Sequence, residues 1–546
     1  MVPLGLPGGR KTLEVAVRGT TGSRAAWIML AALIGGVIMD GKASGAVGDT
    51  TVAKWKDGKQ AAVGLAFDDS IWSQVDYVIP LLAKNGLVGS FWVNPATNRY
   101  GYGLEMWEGR AQELGMELCC HTMNHTGASS YEEADYEIGE CARILRSLRP
   151  RNPDRTMLFL RGGATEWKTN NEQMAELMKK YALTRGRGGG VDHGGDDKTG
   201  DELAGYVKEA ETDGKFHCIA FHGVGPQAEW LPTTPEAFEA LVRALVKARD
   251  RVWNGTCGEI YMYEHERQSA RVAVREASGK AVRLELASDE DPVKCDMALT
   301  LDTVVPSGWK RCLIRQGDAE SVRPVRKGVV RYEAVPGRGE IALSATARSP
   351  GSGAKPKPAR PAPGRKPYFA GTELSRIAAV PDGKAETVTL PVGVKDASVG
   401  FSLRLGKDFT IPEFAKGGGN VLTICQVLDA QDRQSAVVNV YRQGRELFLY
   451  VLVRDNKDFH GIPGWPELPA GHLGLKAGRE HVLVLRTREG YRDGGAELWL
   501  DGKLRCSFMR RDTTGRAART VSVGVSARPD GTKGGVRITK VRVSGE

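Results

Sequence analysis

The sequence has no C-x-x-C pair, and its nine cysteines are odd in number and thinly spread over 546 residues. That excludes a zinc ribbon and a dense disulfide framework. In an oxidising compartment the pairs within reach inside one domain are Cys295 with Cys312 and Cys425 with Cys506. Long hydrophobic runs are missing too. The most apolar stretch, residues 25–39, falls short of the ~20 residues a spanning helix needs. No Arg/Lys-aromatic module is present, so a net charge of +10 reads as a solvated basic surface or as attraction to an acidic cell envelope, and nucleic acid is not a predicted partner. Histidine is scarce, with nine in the chain, which makes any two that fall close together informative.

At this length two to four domains are expected. Residues 1–46 have the pattern of a signal peptide. Arg10, Lys11, Arg18 and Arg24 precede the apolar stretch, and Ser44-Gly45-Ala46 offers small residues for cleavage. Export to the periplasm, cell envelope or medium is the expectation, with no membrane span left after cleavage. From 55 to 266 apolar runs alternate with amphipathic stretches. Strands are predicted at 62–67, 88–93, 116–120, 157–160 and 217–221, and helices at 75–85, 131–148, 171–181 and 235–248. Such alternation predicts an α/β unit with a parallel sheet closed or partly closed as a barrel. Residues 269–347 change to alternating β segments and predict a small β-sandwich. The Pro-rich, basic segment 348–367 cannot build a core and marks a linker. Alternation returns over 368–546, where Asp501-Gly502 sits between two strand patterns as a hairpin turn, and a C-terminal β jelly-roll sandwich is expected.

The chemistry-bearing stretch is V-G-L-A-F-D-D-S, residues 63–70. A buried-strand pattern stops at Asp68 and Asp69, and ligands collect at the carboxyl ends of such strands. Successive side chains there point different ways, so one carboxylate can hold a metal while the other faces a nucleophile. About fifty residues on, H-T-M-N-H places His121 and His125 at i and i+4, within reach of one ion from a helical turn or a tight loop. Asp69, His121 and His125 make an open two-histidine, one-carboxylate set, which favours Zn²⁺ and admits Co²⁺ or Ni²⁺. Such an ion lowers the pKa of a held water to about 7, and Asp68 is placed to accept its proton. Arg161, ending T-M-L-F-L-R, is the candidate cation for keeping Asp68 ionised. His222, after the run C-I-A-F, stands at another strand end and suits proton donation to a leaving group.

F-D-D-S, H-T-M-N-H, L-R-G-G-A-T and A-F-H-G occur in the order and rough spacing of the polysaccharide deacetylases, the NodB-homology or family 4 carbohydrate esterases. The resemblance implies a distorted (β/α) barrel with a divalent metal. It implies Asp68 as base, Asp69, His121 and His125 as metal ligands, His222 as acid and Arg161 as the arginine that orients the base. The chain departs from the family pattern in three places. Ser70 stands where glycine is usual, Gly163, Ala164 and Thr165 replace the Pro-aromatic-Gly of the third motif, and Ala220 replaces a leucine. The backbone N–H of Ala164 is the oxyanion candidate, and Asp192, Asp196 and Asp197 are all open as the acidic partner of His222. The last domain resembles laminin-G or concanavalin-like sandwiches through L-W-L-D-G-K, with Trp465, Tyr491 and Trp499 as candidate sugar-stacking residues. The implied activity is metal-dependent removal of acetyl groups from N- or O-acetylated sugars of a polysaccharide. The alternative is a secreted carbohydrate-binding protein whose barrel is idle.

Overall fold

The computed structural model describes residues 45–149, 152–162, 166–225, 231–349, 369, 371–414, 420–456, 459–462 (backbone) and 473–546. Residues 1–44 of the proposed signal peptide and the core of the proposed linker lie outside these. No helix among the described residues is long and apolar enough to cross a membrane.

The first strand, β1 (Thr50–Val52), stands apart from the parallel sheet and is taken up below. The sheet itself consists of β2 (Ala61–Asp68), β3 (Ser90–Val93), β4 (Glu117–Cys120), β5 (Met157–Phe159), β6 (Leu183–Arg185), β7 (Val191–Gly194), β8 (Phe216–Phe221) and β9 (Val252–Asn254). Its strand order is β6-β5-β4-β3-β2-β8-β7, with β9 paired to the start of β2. The barrel is therefore incomplete, open between β6 and β7. Every residue of β2 is buried, because both faces of this central strand are covered. Val63, Leu65 and Phe67 point to the outer helices, where Phe67 packs against Phe91, Phe221 and Phe238 with ring centroids 4.8, 5.5 and 5.9 Å away. Ala62 and Ala66 point the other way, into a cluster with Cys257, Ile260 and Tyr263 of the helix Cys257–Ser269.

A helix and a strand are among the elements that the sequence pattern does not reveal. The helix Gly200–Asp213 opens on a reciprocal cap between Thr199 and Glu202, a T-x-x-E signature visible in the chain. The strand β7 lies in a Gly-rich stretch that shows no strand periodicity. The helix expected over 75–85 begins as a wide π turn at Gln74–Val78 before becoming α-helical at Ile79–Lys84, with Pro80 in its first turn, where a missing N–H is tolerated.

The middle unit is one eight-stranded antiparallel sheet folded on itself. The strand Ala319–Arg326 pairs with Arg311–Gln316 through its first part and with Val329–Ala334 through Val325 and Arg326, turning the corner between the two halves. It does not begin at 269. β1, from before the parallel sheet, pairs with it, Val52 opposite Leu301. Its Val282, Leu284 and Leu299 share one core with Trp92, Cys218 and Tyr263 of the α/β unit.

The C-terminal unit is two antiparallel sheets of six and seven strands enclosing one core, in which Phe401, Leu403, Leu485 and Leu498 meet Ile424, Val438 and Leu449. The turn Asp501-Gly502 joins Gly495–Leu500 to Lys503–Ser507, both residues at positive φ (54° and 79°), as a tight hairpin requires. All nine cysteines are free and buried, Cys295, Cys312, Cys425 and Cys506 among them. They act as small core residues, so neither suggested disulfide forms.

Candidate active site

Register places the site. Phe67 lies opposite Phe91 and Phe221, and Val93 lies opposite Cys120, so β2, β3, β4 and β8 end in line. The residues just past those ends are Asp68-Asp69, Asn94, His121 and His222. Asp69 and Ser70 turn sharply, at φ 75° and 55°, and so do Thr122 and His125 at 72° and 59°. Four non-glycine residues in the left-handed region within one site is strain held in place by its surroundings. Ser70 is held because its buried Oγ accepts the Asn94 N–H at 2.9 Å, which explains a serine at this turn.

His121 to His125 form a tight loop, not a helical turn. Asn94 Nδ2 donates to the His121 and Thr122 carbonyls, and buried Glu137 accepts from the Asn124 N–H (2.8 Å) and Asn124 Nδ2 (2.6 Å). Gly162 backs the loop. A Cβ there would strike the His121 carbonyl oxygen and the His125 ring.

This loop brings His121 Nε2 to 3.2 Å and His125 Nε2 to 3.0 Å from Asp69 Oδ1. His121 Nδ1 lies 3.2 Å from the Leu160 carbonyl, to which it can only donate. In the neutral ring the lone pair is then on Nε2, facing a carboxylate oxygen, a contact that favours a cation between them. Burial pushes the Asp69 carboxyl up, but the hydrogen bonds and charges of His121 and His125 outweigh it and hold the group far below the usual carboxylate range. The donor set fits a divalent ion.

Asp68 has a separate partner. Its Oδ2 pairs with Arg187, while its buried Oδ1 has no hydrogen-bond partner. Gln74 Nε2 ties the Asp68 carbonyl (2.6 Å) to that of His222 (3.1 Å). His222 Nδ1 lies 2.7 Å from Asp196 Oδ2, and its N–H donates to Asp196 Oδ1 at 2.9 Å. Burial pulls the His222 imidazolium down, but the hydrogen bond to Asp196 and the charges of Asp68, Asp196 and Asp69 hold its pKa above the ordinary histidine value.

Residues 56–184 match the family model described as polysaccharide deacetylase. This segment is a polysaccharide deacetylase domain. A gellan lyase from Bacillus sp. is 21% identical over 339 residues, and the alignment covers 56% of this chain but only 14% of that much longer protein. Among solved structures, the family 4 carbohydrate esterase of Streptomyces lividans with acetate is similar at 20% identity, covering 36% of this chain and 93% of that one, with a TM-score of 0.27. The peptidoglycan deacetylase PdaC of Bacillus subtilis is similar at 17% identity, over 38% and 94%, with a TM-score of 0.29. A family 4 pseudoenzyme from Bacillus anthracis is also similar, at 13% identity over 37% and 65%, with a TM-score of 0.26.

Several expected residues of the deacetylase domain fall elsewhere. Arg161 is exposed, two residues past the end of β5, which lies three places from β2 in the sheet, and makes no ion pair with Asp68. Arg187 takes that place. It rides the Gly-rich link across the open seam, where Gly188 and Gly190 run at φ 90° and 89° against the Cys257 carbonyl and Phe216, too close for a side chain. One arginine among 76 basic residues carried no sequence signal. Of the three open acidic partners the structure selects Asp196, while Asp192 and Asp197 are exposed. Ala164 and Trp465 lie outside the described residues. Trp499 is 2% exposed and packed in the core the sandwich shares with the deacetylase domain, so it cannot stack on a sugar. Tyr491 is 64% exposed and lines the cavity beside Asp69 and His125.

Proposed function

We propose that the chain is an exported, metal-dependent hydrolase that removes acetyl groups from N- or O-acetylated sugars of a polysaccharide. The observation that carries the reading is the division of two adjacent carboxylates: Asp69 with two imidazoles, Asp68 with Arg187 and one unpartnered buried oxygen. A Zn²⁺, Co²⁺ or Ni²⁺ ion held by Asp69, His121 and His125 would supply Lewis acidity toward the acetyl carbonyl and the attacking water. Asp68 Oδ1 accepts a proton from that water as its oxygen bonds to the acetyl carbon. Arg187, on the other oxygen, fixes the carboxylate's direction. His222, whose Nδ1–H is held by Asp196, presents Nε2–H to the sugar nitrogen or oxygen. As the bond from the acetyl carbon breaks, that proton moves to the leaving atom, giving acetate and a free amine or hydroxyl.

The test is acetate release from chitooligosaccharide, peptidoglycan and acetyl-xylan, with chelator and with metal restored. Asp68→Asn is expected to abolish turnover with metal content unchanged. Metal lost along with turnover would mean that the two aspartates have exchanged roles. A metal-loaded wild-type chain that releases no acetate from any substrate would leave an idle, sugar-binding barrel.

A further inference from the structure

Beside Asp69 and His125 opens a cavity of about 730 Å³, and its far wall is not part of the deacetylase domain. Asp455, Tyr491, Arg492 and Arg511 of the C-terminal sandwich supply it. The sandwich is fixed there. Arg510 pairs with Glu108 at 2.6 Å and donates to the Pro95 carbonyl at 3.1 Å, while Trp499 and Leu504 are buried in the deacetylase-domain core. At Gly101 the two backbones touch, with no room for a Cβ beside the Ser507 carbonyl oxygen.

Most charges around the cavity are already engaged. Glu137 holds the Asn124 backbone and side chain, and Asp455 pairs with Arg511 at 3.7 Å. Glu132 hydrogen-bonds at the start of the helix Tyr131–Ser147, and the Glu133 carboxylate accepts from the Ser129 N–H and hydroxyl at 2.8 and 2.6 Å. Arg492 differs. Its guanidinium carbon lies 3.6 Å from the Tyr136 ring centroid and 4.8 Å from that of Tyr491, and among the described residues no carboxylate lies within ion-pair distance. Its backbone is in the left-handed region at φ 67°, a conformation imposed on a bulky residue. Contact with two aromatic rings holds the guanidinium in place without using up its N–H donors, which can take a carboxylate with two parallel hydrogen bonds. Tyr491 offers an exposed ring for the apolar face of a pyranose.

We propose that the C-terminal sandwich is one wall of the catalytic groove, and that Tyr491 and Arg492 bind the sugar next to the acetylated one, with Arg492 receiving a carboxylate carried by that sugar. The position of this subsite rests on the deacetylase reading, so the test reads equilibrium binding and not turnover. The full chain carrying Asp68→Asn, so that acetyl groups stay in place, is titrated calorimetrically with three tetrasaccharides. These are neutral chitotetraose, an N-acetylglucosamine–N-acetylmuramic acid repeat with a lactyl carboxylate, and a hyaluronan fragment with a uronic carboxylate. At least one carboxylated glycan is expected to bind about tenfold tighter than chitotetraose, and which one identifies the source of the carboxylate. Adding Arg492→Gln should erase that preference, and adding Tyr491→Ala should weaken all three by about fivefold. Equal binding of the three, no binding at all, or a preference that survives Arg492→Gln would overturn the proposal. Should the preference hold while the wild-type chain releases no acetate, the groove stands and the hydrolase reading falls.

Discussion

Replacing Arg187 by Met removes the cation that, among the described residues, pairs with Asp68, while keeping an unbranched stem over the Trp92 ring, which lies 5.6 Å from the guanidinium. Asp68 has an 8% exposed side chain, and among the described residues no second donor reaches its other oxygen to replace the lost contact. A hydrogen bond from a charged donor contributes about 1.5–3 kcal/mol. If that amount holds the base in its productive orientation, kcat should fall between about tenfold and a hundredfold, at about 1.4 kcal/mol per factor of ten. The assay is acetate release on the best substrate of the screen above, alongside metal content by elemental analysis, which should not change because Asp69, His121 and His125 are untouched. Arg161→Ala serves as the contrast and should cost less than a factor of about two, since that side chain is exposed and unpaired with Asp68. The reasoning fails if the two variants behave in reverse, with Arg161 costly and Arg187 dispensable.

The remaining predictions concern the acid, the loop and a buried glutamate. Because the His222 pKa is raised, its protonated, proton-donating form persists to higher pH, and the alkaline limb of kcat should lie above the ordinary histidine value. Asp196→Asn should move that limb down, and an unmoved limb would remove His222 from the acid's role. Gly162→Ala should weaken metal binding about 10–100-fold by pushing the His121–His125 loop outward, measured by competition with a chelator. Glu266 is 2% exposed and pushed up to about 7 by burial, so its deprotonation opposes folding. Stability present below the ordinary value of 4.5 is lost as pH rises toward 7. Glu266→Gln should therefore add about 1–2 kcal/mol at pH 8, screening allowed for, and little at pH 4.5. Equal changes in Tm at both pH values would contradict it.

The metal trio was legible because its residue types are rare and stand where strands stop. Two of nine histidines within five residues, and two carboxylates closing an apolar run, are patterns that few other folds explain. Register then did the rest, since parallel strands ending in line bring their next residues together whatever their separation in the chain. Arg187 and Asp196 were less accessible for the same reason in reverse. Both come from the segment around the open seam, where glycine removes the periodicity that sequence reasoning uses. Trp499 and Tyr491 show a further limit. Strand alternation says that Trp499 has a face, but not that this face of the sandwich meets another unit and is sealed by it. Nor could it say that the loop holding Tyr491 overlooks the candidate metal site. The middle unit's boundary was misplaced because β1, three residues long, pairs with a partner some 250 positions away.

The close backbone approach of Gly101 to Ser507, with Arg510 anchored on Glu108, changes what the Pro-rich segment is for. A flexible tether would let a sugar-binding module search a polymer surface independently of its enzyme. Here the two parts already interlock, so a protease that nicks the chain between 350 and 368 should leave both fragments eluting together from a sizing column. The glycan would then be received by a single cleft with walls from both ends of the polypeptide, and swapping the last 170-odd residues for another module would alter which polymer fits.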